Sequence, residues 1–239
     1  MCGSITEFIV QHDNLRETCV CRGCGSFNRQ RQIASVILHG QNSEPGGSRF
    51  RSLKKLANQT NLFMYNTESR GAIHGVLKLN SRYISSEFFG PTFQSGSFVG
   101  GVMHQDLMTL SLATESVALV ISSDVFEHIP DPYKAHEQVF RVLRPGGRHV
   151  FTVPFYQTEC LDEVRSGFDP DGQLTHYKDP IFHGDPLREE GALVFTIFGL
   201  EMLVKLAKIG FRTNLWKLRD AGTGIIGPNA IVFEAQKLS

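Results

Sequence analysis

Between residues 117 and 155 the spacing of apolar and polar positions changes character twice. Val117, Leu119, Val120 and Ile121 form an unbroken apolar run that ends at Ser122-Ser123-Asp124. A run of that length, closed by polar residues, predicts a buried strand. Asp131-Pro132 then offers a capping carboxylate and a proline at the first helical position, where a missing N–H costs nothing. Ala135, Val139 and Val142 follow at helical spacing, Pro145-Gly146-Gly147 stops the helix, and His149 to Pro154 reads as a second buried strand. The whole is a βαβ crossover whose polar loop lies at the carboxyl end of a strand, where ligands sit in doubly wound α/β sheets.

Elsewhere the pattern is thinner. Leu62 to Tyr65 predicts a first core strand, followed by a loop 66–71 and a helix to Leu77. Arg82 to Ser86 predicts a second strand ending at Glu87, and Gly100 to His104 a third, just before Asp106-Leu107. Apolar positions 33, 36 and 37 predict a short helix over 32–38, and Arg49 to Ala57 a second one. Residues 1–31 read as a separate N-terminal element, and the turn-rich run 43–48 marks a break. Residues 156–194 read as an irregular insertion. Leu200, Leu203, Val204 and Ala207 then form a helical stripe ending at Gly210, and Leu215 to Leu218 and Ala230 to Ala235 are the final strands. The expected division is an extension over 1–48 and a main domain over 49–239.

Composition narrows the class. Apolar residues at 41% exclude disorder as the main state. With 24 basic and 24 acidic side chains the chain has no formal net charge. It therefore exerts no long-range pull on phosphate backbones, and nucleic acid is not an expected partner. The arginines and lysines before residue 56 read as a solvated face. No apolar run approaches the roughly 20 residues of a membrane span, and no signal peptide is evident. Five cysteines, three of them within 19–24, fit a reducing compartment, so the cytoplasm is expected.

The run DVFEHIPDP, followed by RVLRPGG and a strand ending in VP, resembles the later core motifs of class I S-adenosylmethionine-dependent methyltransferases, nearest the broad small-molecule branch that includes quinone and lipid methylases. The resemblance implies one α/β domain: a doubly wound, mostly parallel seven-stranded sheet with helices on both faces. It also implies S-adenosylmethionine as cofactor and methyl transfer to a small-molecule acceptor. In that family a glycine-rich loop follows the first strand. Here the loop is YNTESRG: Gly71 matches the third glycine, Thr67 and Ser69 replace the earlier two, and Tyr65 stands at the usual acidic position. Glu68 is a substitute carboxylate. Thr and Ser are small but take positive φ less readily than glycine.

The remaining cofactor contacts follow from position. Glu87, about 16 residues beyond Gly71, is the ribose acceptor, as a comparable carboxylate is in dinucleotide-binding folds. Asp106 and Leu107 resemble the acidic-apolar pair beside adenine. Ser122, Ser123 and Asp124 line the donor pocket, with Glu127 and His128 toward the substrate. Each also has an ordinary structural use as a turn former, cap or packing residue.

Methyl transfer from a sulfonium is an in-line displacement, for which placement alone supplies roughly 7–11 kcal/mol of the barrier. A general base is required only when the acceptor carries a proton. The candidates are His128, His183 and Asp185, with Tyr156 and His176 behind them. No metal is expected at this site. At the N-terminus, Cys2, Cys19, Cys21 and Cys24 would just suffice for a structural zinc, with His12 or His39 as substitutes, but a single C-x-x-C is half a site and zinc is not predicted. Two rival functions stay open. The depleted glycine loop suits a binding or regulatory protein without turnover. A nicotinamide-dependent oxidoreductase lacks its G-x-G-x-x-G after the first strand.

Overall fold

A computed structural model describes residues 1–43, 49–185, 188–227 and 231–238. The break expected over 43–48 lies, apart from Ser43, outside the described residues, as does Ala230 at the start of the last expected strand.

One eight-stranded sheet organises the chain, in the order 211–217, 231–237, 143–152, 117–123, 64–66, 83–87, 102–104, 98–99. The five strands from 143–152 to 102–104 are parallel. Ile231–Lys237 runs antiparallel to both its neighbours. The expected seven strands are all present. The eighth is the two-residue edge strand Phe98–Val99, which folds back antiparallel on Val102–His104.

The strand Val117–Ser123 is buried at every position, and past an irregularity between Val117 and Leu119 its side chains alternate between two cores. Val117 and Val120 join Phe126, Val139, Phe151, Phe198 and Met202 on one face. Leu119 and Ile121 join Ile33, Ile37, Leu53, Leu56, Ile73 and Leu77 on the other. That is the two-sided burial a parallel sheet demands.

Helices α1 (Asn28–Asn42), α2 (Leu53–Gln59) and α3 (Gly71–Leu77) cover the second face. The helix expected over 32–38 is thus 15 residues long, and its Ile33, Ala34, Val36 and Ile37 pack into the sheet's own core. Helices α4 (Pro132–Val142) and α5 (Glu201–Ile209) serve the first face. Asp131 caps α4 by accepting from Lys134 N at 2.9 Å. Helix α4 ends at Val142, and Pro145-Gly146-Gly147 bulges out of the following strand, where Leu143 faces Val117 but Arg148 already faces Leu119. In α5 the buried face is Met202 and Leu206, while Leu200 and Val204 of the expected stripe are exposed. Gly210 closes that helix at φ 116°.

The insertion over 156–194 contains more order than its composition suggests. Ser166–Phe168 pairs with Leu174–His176, Phe182–Asp185 with Arg188–Leu193, and Glu163–Val164 with Thr196–Ile197. These short ladders stand over the carboxyl ends of the central strands, tied there by Phe195 N donating to the Glu127 carbonyl at 2.7 Å.

Candidate functional site

The parallel strands end in Asn66, Glu87, His104 and Ser123, and the groups expected to grip a cofactor follow directly. Thr67 continues the first strand, its N–H donating to Ile121 O at 3.0 Å. Its hydroxyl is buried without a hydrogen-bond partner among the described residues, as is Asn66 Oδ1. Orphaned polar atoms at a strand end are available to a ligand or water that reaches them. Ser69 donates from both its N–H and its hydroxyl to Glu87 Oε1, each at 2.8 Å, which draws the loop and the second strand together. Gly71 has φ 76°, and a side chain there would start 3.0 Å from Gln30 Nε2. This is the one glycine of the loop that cannot be replaced cheaply.

Asp106 Oδ1 caps the following 3-10 turn by accepting from Met108 N at 2.8 Å. Leu107 is buried in the first core. Asp106 also lines an open hollow of about 430 Å³ with Phe93, Ser95, His104 and Ser111. Phe93 and His104, whose rings lie 5.8 Å apart, were not among the expected residues, because nothing in their local pattern distinguishes them from core.

The donor end holds an unexpected tenant. Arg16 clamps Asp124 with two hydrogen bonds, to Oδ2 at 2.5 Å and Oδ1 at 2.7 Å. Arg29, from the first turn of α1, lies 3.5 Å from the same carboxylate, donates to Ser123 Oγ, and is held in turn by Glu17. Thr152 donates to Asp124 Oδ1 at 2.8 Å. Burial opposes ionisation of Asp124, but Arg29 and Arg16 overcome it and hold the carboxyl well below its usual range. Asp124 itself sits at φ 53°, the left-handed region.

Glu68 is the counterweight. Desolvation pushes its carboxyl up to about 7 against the pull of Arg29, with Glu87 and Asp124 adding to the rise. Glu68 therefore feels Glu17, Glu87 and Asp124, and Arg29 lies among Glu17, Glu68 and Asp124.

Next to these residues lies a second polar group. The 3-10 turn Phe126–His128 follows the strand Val117–Ser123 and carries Glu127 and His128, and the hairpin strand Phe182–Asp185 brings His183 against them. Glu127 Oε1 is 3.7 Å from His128 Nε2 and 3.6 Å from His183 Nδ1. The two rings meet edge to face, centroids 5.2 Å apart. His128 Nδ1 pairs with Leu193 O at 2.8 Å, which makes it the protonated nitrogen and leaves Nε2 bare. Sequence reasoning placed Glu127 and His128 together toward the substrate and His183 apart, in the insertion; the hairpin that unites the three was not legible. The Asp185 side chain lies outside the described residues. Tyr156 is exposed, and His176 pairs with Ser166 at 2.8 Å.

Of the four cysteines, Cys2, Cys21 and Cys24 gather within ligand range, and Cys19 does not join them. Cys19 takes φ 62° and gives its carbonyl to Arg31. His39 packs on Trp216 on the far side of the sheet, so it is no substitute ligand. Desolvation works against the Cys2 thiolate, yet hydrogen bonds from Ser4 and Cys24 lower its thiol to about 7.

Residues 89–151 match the family model of a methyltransferase domain. A stretch of 40 residues is 50% identical to an uncharacterized methyltransferase of Mycobacteroides abscessus, covering 17% of this chain and 15% of that protein. A stretch of 63 residues is 38% identical to an uncharacterized methyltransferase of Mycobacterium ulcerans, covering 26% and 24%. The alignments thus span less than a quarter of those relatives' length. Among solved structures, an S-adenosylmethionine-dependent methyltransferase from Mesorhizobium loti is similar at 17% identity and TM-score 0.47, covering 77% of this chain and 95% of that one. The Burkholderia thailandensis 1,6-didemethyltoxoflavin-N1-methyltransferase, solved with bound 1,6-didemethyltoxoflavin and S-adenosylhomocysteine, is similar at 12% identity and TM-score 0.49, covering 89% and 79%. Within the doubly wound sheet, residues 89–151 are thus similar to a methyltransferase domain.

Proposed function

We propose that the protein transfers a methyl group from S-adenosylmethionine to a small molecule docked under the insertion. The observation that carries this reading is the set of acidic groups on the rim: Glu17, Glu87 and Asp124, with Glu68 raised to about 7, against Arg16 and Arg29. A nucleoside bearing a sulfonium suits such a rim, whereas a dinucleotide would bring two phosphates to it. Thr67 and Glu87 would hold the ribose side and Asp106 the adenine, with Phe93 supplying an aromatic wall. When bound, the cofactor supplies an activated methyl group. The chain's own part is to hold the acceptor in line with it and keep water out. The acceptor would meet Glu127, His128 and His183. No helix among the described residues is long and apolar enough to cross a membrane, and five free cysteines suit a reducing cytoplasm.

A second reading has its own observation. With Arg16 and Arg29 on Asp124, the donor end is closed by the chain itself, which suits a binding protein with little turnover. Calorimetry with S-adenosylmethionine, S-adenosylhomocysteine and NAD tests both. Binding of the first two alone supports the transferase. Binding of none favours the second reading, and binding of NAD alone overturns both.

A further inference from the structure

Glu127 presents a physical problem that its surroundings do not solve. Its side chain is fully buried, and neither oxygen has a hydrogen-bond partner among the described residues. A buried carboxylate without donors is costly, and such groups are found paired or on metals. Two imidazole nitrogens stand 3.6 and 3.7 Å from Oε1, beyond hydrogen-bond reach. That spacing has a simple geometric meaning. Ligand bonds of about 2.0–2.1 Å in a tetrahedral arrangement put neighbouring ligand atoms about 3.4 Å apart.

We propose that Glu127, His128 and His183 form a binding site for a divalent first-row transition ion of the zinc or manganese type. One ligand atom from each residue lies within 4.8 Å of the other two. The bond from His128 Nδ1–H to Leu193 O is the second-shell contact that orients an imidazole and frees its other nitrogen for a metal. Two nitrogens and one carboxylate oxygen favour such an ion over magnesium or calcium. His183 is 40% exposed and His128 19%, so the cluster opens on one side to solvent. Three protein ligands with an open position are the pattern of a site that takes a further ligand. If the methyl-transfer reading holds, the open position would receive an oxygen of the acceptor, which selects acceptors with a hydroxyl or carboxylate beside the methylated atom.

The cysteine cluster would also take zinc, so the test must separate the two. Cobalt(II) titrated into the whole protein reports its ligands by spectrum: thiolates add intense near-ultraviolet charge-transfer bands, and imidazole with carboxylate does not. In the variant Cys21→Ser/Cys24→Ser, one equivalent of cobalt(II) or zinc(II) should still bind by calorimetry, without those bands. Adding Glu127→Gln or His183→Ala to that variant should weaken it roughly tenfold or more. Glu127→Gln removes a buried charge and His183→Ala trims a partly exposed side chain, so loss of fold is not expected from either. Retained affinity in both, or no binding before either is introduced, overturns the site; a proton shared between Glu127 and His183 would then fill the gap. S-adenosylhomocysteine binding, measured separately, decides the transferase reading: metal binding without it leaves the metal site standing and removes only its link to an acceptor.

Discussion

Under the proposed function, Glu87 is the residue that would accept from the ribose. Its Oε1 is engaged by Ser69, which fixes the carboxylate for a second bond from a ribose hydroxyl. A hydrogen bond to a charged group contributes roughly 1.5–3 kcal/mol, so Glu87→Gln should weaken S-adenosylhomocysteine about 10- to 100-fold by calorimetry. Unchanged affinity would move the ribose contact elsewhere. A pH effect belongs at this scale too. His136 and His149 are both fully buried, and desolvation lowers His136 to about 3 and His149 well below its ordinary value. Both fold as neutral rings. Their contribution to stability is complete above about 6.5 and is lost as pH falls toward the depressed folded values. Melting temperature should therefore drop steadily between pH 6.5 and 4. His136→Phe, whose ring would keep the 4.1 Å stack on Phe126, should flatten that slope. Of these residues, Glu87 and Gly71 were legible from their places after strands. Arg16 and Arg29 were not, since their partners at Asp124 and Ser123 stand 108 and 94 positions away.

At the scale of elements, the crossover 117–152 was readable because its apolar run and its capped proline start agree, although Pro145-Gly146-Gly147 lies in the following strand rather than stopping the helix. Helix α1 was underread because it buries polar residues. Asn28 donates to Leu15 O and Ile226 O, and Arg31 reaches the carbonyls of Cys19 and Gly224, so apolar spacing alone gave only its middle. In α5 the apolar residues go nearly all round, and the pattern could not choose a face; packing against α4 chose Met202 and Leu206. The insertion's ladders are two to six residues long, below what alternation can signal. Gly40 in α1 makes a sharp test. Alanine in place of a helical glycine usually stabilises by about 1 kcal/mol. Here its methyl would fall on Arg148 Nη1, displacing the guanidinium from Glu234, 3.2 Å away and buried. Breaking a buried pair costs more than helix propensity returns. Gly40→Ala should lower the urea midpoint, read by the fluorescence of Trp216, the chain's single tryptophan, which donates to the same Glu234.

For the whole molecule, the sheet order follows from the sequence of elements once the crossover is right-handed, and that much was foreseeable. The N-terminal segment was not. Read as a separate element, it instead reaches the sheet's carboxyl edge through Arg16 and the inner core through α1. If Asp124 lines the donor end as proposed, the arginine fork on it would compete with a bound nucleoside. Arg16→Ala should raise S-adenosylhomocysteine affinity several-fold by calorimetry. A fall would mean that the guanidinium serves the ligand.

That fork also sets a clock. If the donor end opens only when Arg16 lets go, a nucleoside cannot enter on first encounter, however concentrated it is. In stopped-flow mixing the observed rate should climb with ligand at first and then reach a plateau, equal to the frequency with which the N-terminal segment swings clear. The plateau should vanish in Arg16→Ala.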